Sequence, residues 1–180
     1  MKYAFIMNSG SLSPESYSKL YSERKNQYYF AAVHDMDMAR ELAKKLADEG
    51  YDFIDLCGDF DAEKAEEVRK AAGGKIQVGY AKYTEEDQDR FDKLPAIDRY
   101  GIIVLGFDQS EDTVRLTLES NEFNTYIAIV PSEEAAAEAA GQMAADGIHF
   151  IELCGYFDAK KAAAVAEAAE HKVPVGYCGE

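Results

Sequence analysis

The stretch GYDFIDLCGDFDA at residues 50–62 returns 97 residues later as GIHFIELCGYFDA at residues 147–159. Eighteen of the 31 aligned positions from 50 to 80 are identical. The same offset pairs Tyr3 with Tyr100 and Val33 with Val130, so the duplication covers the whole half of the chain. A solenoid would need at least about three repeats. The sequence therefore predicts one unit used twice.

Within each unit, short apolar runs alternate with helical patterns. The first helix is predicted to start at Ser13-Pro14-Glu15, with proline at the first helical position. A second, amphipathic helix runs from Met36 and ends at Gly50, and a third begins at the cap Asp61. Strands are predicted at residues 3–7, 28–33, 53–57 and 76–80, and again at 100–105, 126–130, 150–154 and 173–177.

Strands that alternate with helices of this length are typical of an α/β protein with parallel strands and right-handed crossovers. We expect two repeats of (βα)4 type, and eight strands in total slightly favour a compact TIM-like eight-stranded barrel. The alternative is two flavodoxin-like open-sheet lobes related by a pseudo-twofold axis. Pro174 favours this alternative, because proline fits best at a sheet edge or a strand start. The predicted boundaries are 1–83 for repeat 1, 84–99 for an acidic linker and 100–180 for repeat 2.

Charge and composition exclude several classes of protein. The chain has 180 residues, with 34 Asp and Glu against 19 Lys and Arg, and a formal charge of −15. We therefore expect no binding to nucleic acid or to anionic membranes. The apolar run at residues 3–7 is too short for a signal peptide core or a membrane span, so we expect a cytoplasmic location. The three cysteines are expected to be reduced thiols.

The second copy carries a pattern that is similar to a known family. FIELCGYF at 150–157, followed by VPVGY at 173–177, resembles a family of small prokaryotic domains of unknown function. The resemblance implies a tandem fusion of two such domains, with the two repeats forming a pseudo-dimer within the chain. The resemblance implies no reaction. It leaves a homodimer of the whole chain as a further possibility. The second copy keeps Pro131, Glu152 and Pro174, whereas the first copy has His34, Asp55 and Gln77 there.

The third strand of each copy carries an acid two residues before a cysteine. Period-two alternation places Asp55 with Cys57, and Glu152 with Cys154, on one face near the carboxyl end of the strand, where parallel α/β folds bind ligands. Burial of a carboxyl group raises its pKa, which suits a general acid or base. These four residues are the candidate catalytic residues. The alternative is structural, with acids that accept hydrogen bonds and cysteines that pack in the core.

Other residues near the predicted carboxyl ends are candidates for binding a ligand. His34 would act in one copy only, since its counterpart is Pro131. Tyrosines that end the fourth strands would line a pocket or fill the core. Glycines after the two cysteines would offer backbone N–H groups at helix starts, although the caps Asp61 and Asp158 would occupy those donors. Besides His34, the candidate ligand-binding residues are Tyr80, Tyr177, Gly58 and Gly155.

The sequence predicts no metal site and identifies no cofactor, since it lacks a Walker loop, a Rossmann glycine pattern and a Cys-x-x-Cys pair. Two hypotheses about function follow. The chain is a small-molecule binding protein with sites at the carboxyl ends of its strands, or a non-catalytic structural or protein-interaction module whose acids and thiols serve the core. Whether it is an enzyme is not decided by these patterns.

Overall fold

The computed structural model describes residues 1–107 and 112–179, which divide into two compact units, Met1–Tyr80 and Ala81–Glu180. Unit 1 contains β1 (Lys2–Asn8), β2 (Ser18–Glu23), β3 (Asn26–Val33), α1 (Met36–Asp48), β4 (Phe53–Leu56), α2 (Ala62–Ala71) and β5 (Gln77–Tyr80). Unit 2 contains α3 (Glu85–Phe91), β6 (Arg99–Leu105), β7 (Val114–Leu118), β8 (Asn124–Val130), α4 (Glu133–Ala145), β9 (Phe150–Leu153), α5 (Ala159–Ala168) and β10 (Val175–Tyr177).

Each unit is built on a five-stranded mixed sheet. The strand order is β2-β3-β1-β4-β5 in unit 1 and β7-β8-β6-β9-β10 in unit 2. All neighbouring strands are parallel except the hairpins β2–β3 and β7–β8, which are antiparallel. The α/β prediction and the two-lobe alternative are confirmed. The eight-stranded barrel is wrong, because each set of strands forms a sheet of its own with β1 or β6 at the centre.

The predicted first helix is also wrong, and with it the (βα)4 unit. Ser13 accepts hydrogen bonds from the backbone N–H groups of Ser16 and Tyr17, at 3.0 and 2.8 Å, which closes a turn instead of a helix. The chain then enters β2, which pairs with β3 through a tight hairpin. Within the described residues, each repeat has two crossover helices after its hairpin, and five strands where the sequence suggested four.

The first crossover helix of each unit is followed by a glycine with a left-handed backbone conformation. Gly50 follows α1 with φ of +77° and Gly147 follows α4 with φ of +76°. A Cβ atom at either position would meet no other heavy atom within 4 Å, so a substitution there is resisted by backbone conformation alone.

We expect Gly147→Ala to lower the free energy of unfolding by about 1 kcal/mol, because a residue with a Cβ atom is strained at positive φ. Urea denaturation of the full chain measures this loss. Gly147→Asn is the control, since asparagine tolerates the left-handed region better, and it should lose less. Equal stability of the alanine variant and the wild type would contradict the prediction.

The two faces of the unit 2 sheet have different neighbours. A Cβ atom at Gly101 would lie 3.0 Å from Met143 Sδ, so α4 covers the face that also carries Ile151. Glu152 points to the opposite face because neighbouring residues of a strand alternate. On that face the ring of Phe91, in α3, contacts Phe150 with centroids 5.1 Å apart. The segment 84–99 thus supplies a helix that packs beside Glu152.

No helix within residues 1–107 and 112–179 combines the length and the apolar character that crossing a bilayer requires.

Candidate functional site

Both repeated cysteines lie where the chain connections of their sheet diverge. In unit 1, the chain leaves β1 toward the β2–β3 side of the sheet, whereas it leaves β4 through α2 toward β5 on the other side. The crevice between the carboxyl ends of two such strands is the usual ligand position in open α/β sheets. Cys57 follows β4 at this point, and Cys154 follows β9 at the equivalent point of unit 2.

Each repeated acid is buried and accepts a hydrogen bond from a tyrosine of the neighbouring strand. Asp55 is 4% exposed, and its Oδ2 accepts a hydrogen bond of 2.9 Å from the hydroxyl group of Tyr3. Glu152 is 1% exposed, and its Oε2 accepts a hydrogen bond from the hydroxyl group of Tyr100. These pairs join the central strand of each sheet to its neighbour, β1 to β4 and β6 to β9, through their side chains.

Glu152 has a second phenol partner that comes from the segment before β6. The hydroxyl group of Tyr83 donates to Glu152 Oε1 at 2.7 Å. The Tyr83 ring lies against Gly176, where a Cβ atom would come within 2.7 Å of the ring carbon Cζ. Gly176 stands opposite Glu152 in the β9–β10 register. Because residue 176 is a glycine, the Tyr83 ring can pack close to β10, and from this position its hydroxyl group reaches Glu152.

The repeated cysteines are buried thiols whose sulfur atoms accept backbone hydrogen bonds. The N–H group of Asn8 donates to Cys57 Sγ at 3.1 Å, and the N–H group of Leu105 donates to Cys154 Sγ at 3.3 Å. The two cysteines are 6% and 3% exposed. The same hydrogen bond occurs in both units. It links the end of the central strand, β1 or β6, to the turn that precedes α2 or α5.

Exposed polar side chains gather at the carboxyl edge of unit 1. Asn8 Nδ2 donates to Asp59 Oδ2 at 3.3 Å, beside the exposed Gly58. His34, at the end of β3, is exposed, and its Nδ1 lies 3.1 Å from the carbonyl oxygen of Leu12. Since β1 stands between β3 and β4, His34 and Asp59 flank the end of β1 on opposite sides.

The carboxyl edge of unit 2 has a different chemistry. Its counterparts of Asn8 and Asp59 are Leu105 and Tyr156, and Tyr156 is 38% exposed next to the exposed Gly155. The hydroxyl group of Tyr156 donates to Glu133 Oε1 at 2.9 Å, and this hydrogen bond is the main cause that raises the pKa of Tyr156. At these two positions the first edge thus carries an amide and a carboxylate, and the second carries an aliphatic and an aromatic side chain.

Two of the predicted ligand-binding residues lie away from the acids. Tyr80 stands opposite Leu56, and Tyr177 stands opposite Leu153 in the parallel registers. Since Leu56 and Leu153 alternate with the acids of their strands, both tyrosines point to the opposite face of the sheet. The structure therefore does not bring them together with Asp55 or Glu152.

The two helix starts behind the cysteines are occupied by their own caps. The Asp61 side chain accepts a hydrogen bond from Lys64 N, and the Asp158 side chain accepts one from Lys161 N, both at 2.9 Å. The hydrogen bond from Lys161 N is the main cause that lowers the pKa of Asp158. A carboxylate at each helix start repels an anion there.

No group of three or more His, Cys, Asp or Glu side chains is arranged to hold a metal ion in the part of the chain that the structure describes. The site also contains residues that sequence reasoning missed, namely Tyr3, Tyr100, Tyr83 and Asn8. The pairing of Tyr3 with Tyr100 at the repeat offset was a usable signal, since a buried acid in each copy needs a donor.

Comparison with known proteins gives a family for both halves of the chain. A family model described as "Family of unknown function (DUF6506)" matches residues 1–96 and again residues 98–179. No curated protein matches the sequence. Among solved structures, the chain is similar to a periplasmic solute-binding protein of an ABC transporter from Actinobacillus succinogenes 130z with bound D-allose. The identity is 11%, the TM-score is 0.31, and the match covers 97% of this chain and 76% of that one.

Proposed function

The chain belongs to this family of unknown function, so we propose its role from the geometry of its own sheet edge: it binds a small polar molecule at the carboxyl edge of unit 1. The observation that carries the proposal is the hydrogen-bonded pair of Asn8 and Asp59, which is exposed at the crevice between β1 and β4. An amide and a carboxylate side by side offer one donor group and several acceptor atoms to an incoming molecule.

The charges around this pair favour a neutral or cationic ligand that is rich in hydrogen-bond donors. Asp59 presents a carboxylate, and the nearby Lys64 ammonium group donates to the backbone carbonyl of Asp59 at 2.9 Å. The chain as a whole carries a formal charge of −15, which repels anions over a longer range. Neighbouring hydroxyl groups of a sugar or polyol, or a primary ammonium group, match the pair of Asn8 and Asp59.

In this proposal the buried acids and thiols support the edge and do not contact the ligand. The Tyr3–Asp55 pair links β1 to β4 below the crevice, and the Asn8 N–H bond to Cys57 links the ends of the same strands. These contacts fix the backbone from which Asn8 and Asp59 project. A scaffold held in place this way lowers the entropic cost of binding.

We expect Asp59→Asn to weaken ligand binding by about tenfold or more, because a hydrogen bond to a charged group is replaced by a neutral one. Ligand-detected NMR with a panel of aldoses, polyols and primary amines would find the best binder to the full chain, and calorimetry would give its affinity. Glu41→Gln, an exposed acid on α1 with the same charge change, is the control and should bind like the wild type. Equal losses in both variants would assign the effect to net charge and reject the site.

The exposed apolar side chains favour a second candidate, a protein-interaction module. Leu20 lies on the edge strand β2 and is 54% exposed, and Phe107 after β6 is 48% exposed. Edge strands with exposed apolar side chains are sites of association with other chains. Light scattering that shows a dimer of the full chain, which Leu20→Lys converts to a monomer, together with no binder in the NMR panel, would favour this candidate over the first.

A further inference from the structure

The register of unit 2 places two cysteines next to each other on neighbouring strands. Tyr177 stands opposite Leu153 in the parallel pair β9–β10. One step further, the N–H group of Cys178 donates to the carbonyl oxygen of Leu153 at 3.0 Å, which continues the ladder past the end of β10. Cys178 is therefore the next residue opposite Cys154.

The spacing of these positions suits a covalent link. Neighbouring strands are about 4.8 Å apart, and a disulfide needs Cα atoms about 4.4–6.8 Å apart. Alternation directs both side chains to the same face, the one that carries Glu152 and Gly176. Cys154 Sγ accepts a hydrogen bond there from Leu105 N of β6, on the side away from β10, and it must give up this hydrogen bond to reach Cys178. Cys154 is 3% exposed and Cys178 is 5% exposed, so both thiols lie in the same buried layer.

We propose that Cys154 and Cys178 form a cross-strand dithiol that small-molecule disulfides such as oxidised glutathione convert to an intramolecular disulfide. One cysteine loses its proton, and its thiolate attacks a sulfur atom of oxidised glutathione. A mixed disulfide forms and one glutathione thiolate leaves. The second cysteine thiolate then attacks the protein sulfur of the mixed disulfide, and the second glutathione leaves. In total the protein loses two electrons and two protons, and oxidised glutathione is reduced to two thiols.

The site belongs to the second copy alone. The counterpart of Cys178 in the first copy is Ala81. The first copy therefore has Cys57 at the position of Cys154, but no second cysteine at the position of Cys178. Cys57 keeps the same burial and the same backbone hydrogen bond to sulfur as Cys154. It is therefore a matched internal control for the chemistry of a single buried cysteine in this turn.

Formation of the disulfide would join β10 to β9 at the carboxyl edge of unit 2. Cys178 is followed by Gly179, whose N–H group donates to the carbonyl oxygen of Phe157 at 3.1 Å, and a Cβ atom at Gly179 would lie 2.2 Å from that oxygen. The backbone after Cys178 is thus packed against the turn that starts α5. Oxidation is expected to be slow, because this packing must open before a reagent reaches either sulfur.

The test uses the native full chain equilibrated with mixtures of reduced and oxidised glutathione, followed by alkylation under denaturing conditions and mass spectrometry. We expect the intact mass to fall by two hydrogens and the peptides that contain Cys154 and Cys178 to be linked, while Cys57 is recovered alkylated. Cys178→Ala should instead accumulate a mixed disulfide with glutathione at Cys154, and Cys57→Ala should behave like the wild type. Circular dichroism confirms that each variant is folded.

Three results would overturn the proposal. The first is a native wild type that stays fully reduced in oxidised glutathione alone, although the unfolded chain forms disulfides there. The second is a linkage that involves Cys57 in place of Cys178. The third is a wild type that accumulates the same mixed disulfide as Cys178→Ala, since this would show that the two sulfur atoms do not meet.

Discussion

Glu152→Ala is expected to lower the free energy of unfolding by about 3–5 kcal/mol, because it leaves two phenol donors without their acceptor and opens a cavity in the core. The substitution takes away the acceptor of two phenol groups, those of Tyr100 and Tyr83. A buried donor left without an acceptor, as Tyr100 would be, costs about 1–3 kcal/mol, and the half-buried Tyr83 costs less. The missing side chain also leaves a cavity at a position that is 1% exposed.

Urea denaturation of the wild type and of Glu152→Ala gives this difference directly. Glu152→Gln is the matched control, because its side chain fills the same volume and still offers one oxygen acceptor, and it should lose less than the alanine variant. The removal of both donors in Tyr83→Phe/Tyr100→Phe should make Glu152→Ala less costly, since fewer donors then lack an acceptor. A loss below about 1 kcal/mol for the alanine variant would show that the network contributes little to stability.

Gly176→Ala is expected to lower the free energy of unfolding by about 1–3 kcal/mol, the usual cost of overpacking a close contact. The new Cβ atom would lie 2.7 Å from Tyr83 Cζ and 3.0 Å from Cε1 and Cε2, all atoms of a rigid ring. The ring must move away from the strand, and its hydroxyl group then leaves Glu152 Oε1, which it now reaches at 2.7 Å. The added methyl group is thus expected to disturb both the packing of the Tyr83 ring and its hydrogen bond to Glu152.

The double variant Tyr83→Ala/Gly176→Ala isolates this mechanism. Tyr83→Ala is destabilising by itself, but in that background the methyl group at position 176 meets no ring, and its additional cost should vanish. An unchanged cost of Gly176→Ala in the Tyr83→Ala background would mean that the glycine is required for its backbone and not for the ring. Fluorescence of the tyrosines during urea denaturation follows all four variants.

Much of the fold was predictable because duplication and hydrophobic periodicity are local in sequence. The strand at residues 53–57 and its counterpart at 150–154 are confirmed, as are the helix from Met36 and the cap at Asp61. The antiparallel strand β2 was not predicted, because Ser13-Pro14-Glu15 has the composition of a helix start and the same residues also suit a turn. Pro174, which lies just before the edge strand β10, was the correct signal against the barrel.

The site was predictable only in part, since side-chain partners depend on register between distant segments. Alternation placed Asp55 and Cys57 on one face, but it did not show that Tyr3 stands one strand away, 52 residues earlier in sequence, with its hydroxyl group on the acid. The approach of Tyr83 to Glu152 needs the segment before β6 to return beside β10, where Lys82 bridges Tyr177. No pattern within either segment indicates this contact.

The hairpin β2–β3 determines how the first sheet assembles as the chain folds. Its strands are joined by a turn between Glu23 and Asn26, so its contacts are local and hairpins of this kind close within about 1–10 μs. In sequence, β1 and β3 are separated by residues 9–25. Once Ser18 is paired with Ala31, however, the docking of β1 beside β3 closes only a short loop of residues 9–17. The early hairpin thus lowers the entropy cost of a parallel pairing that is slow by itself. The strand that breaks the α/β pattern is in this way a kinetic aid to the parallel sheet around it.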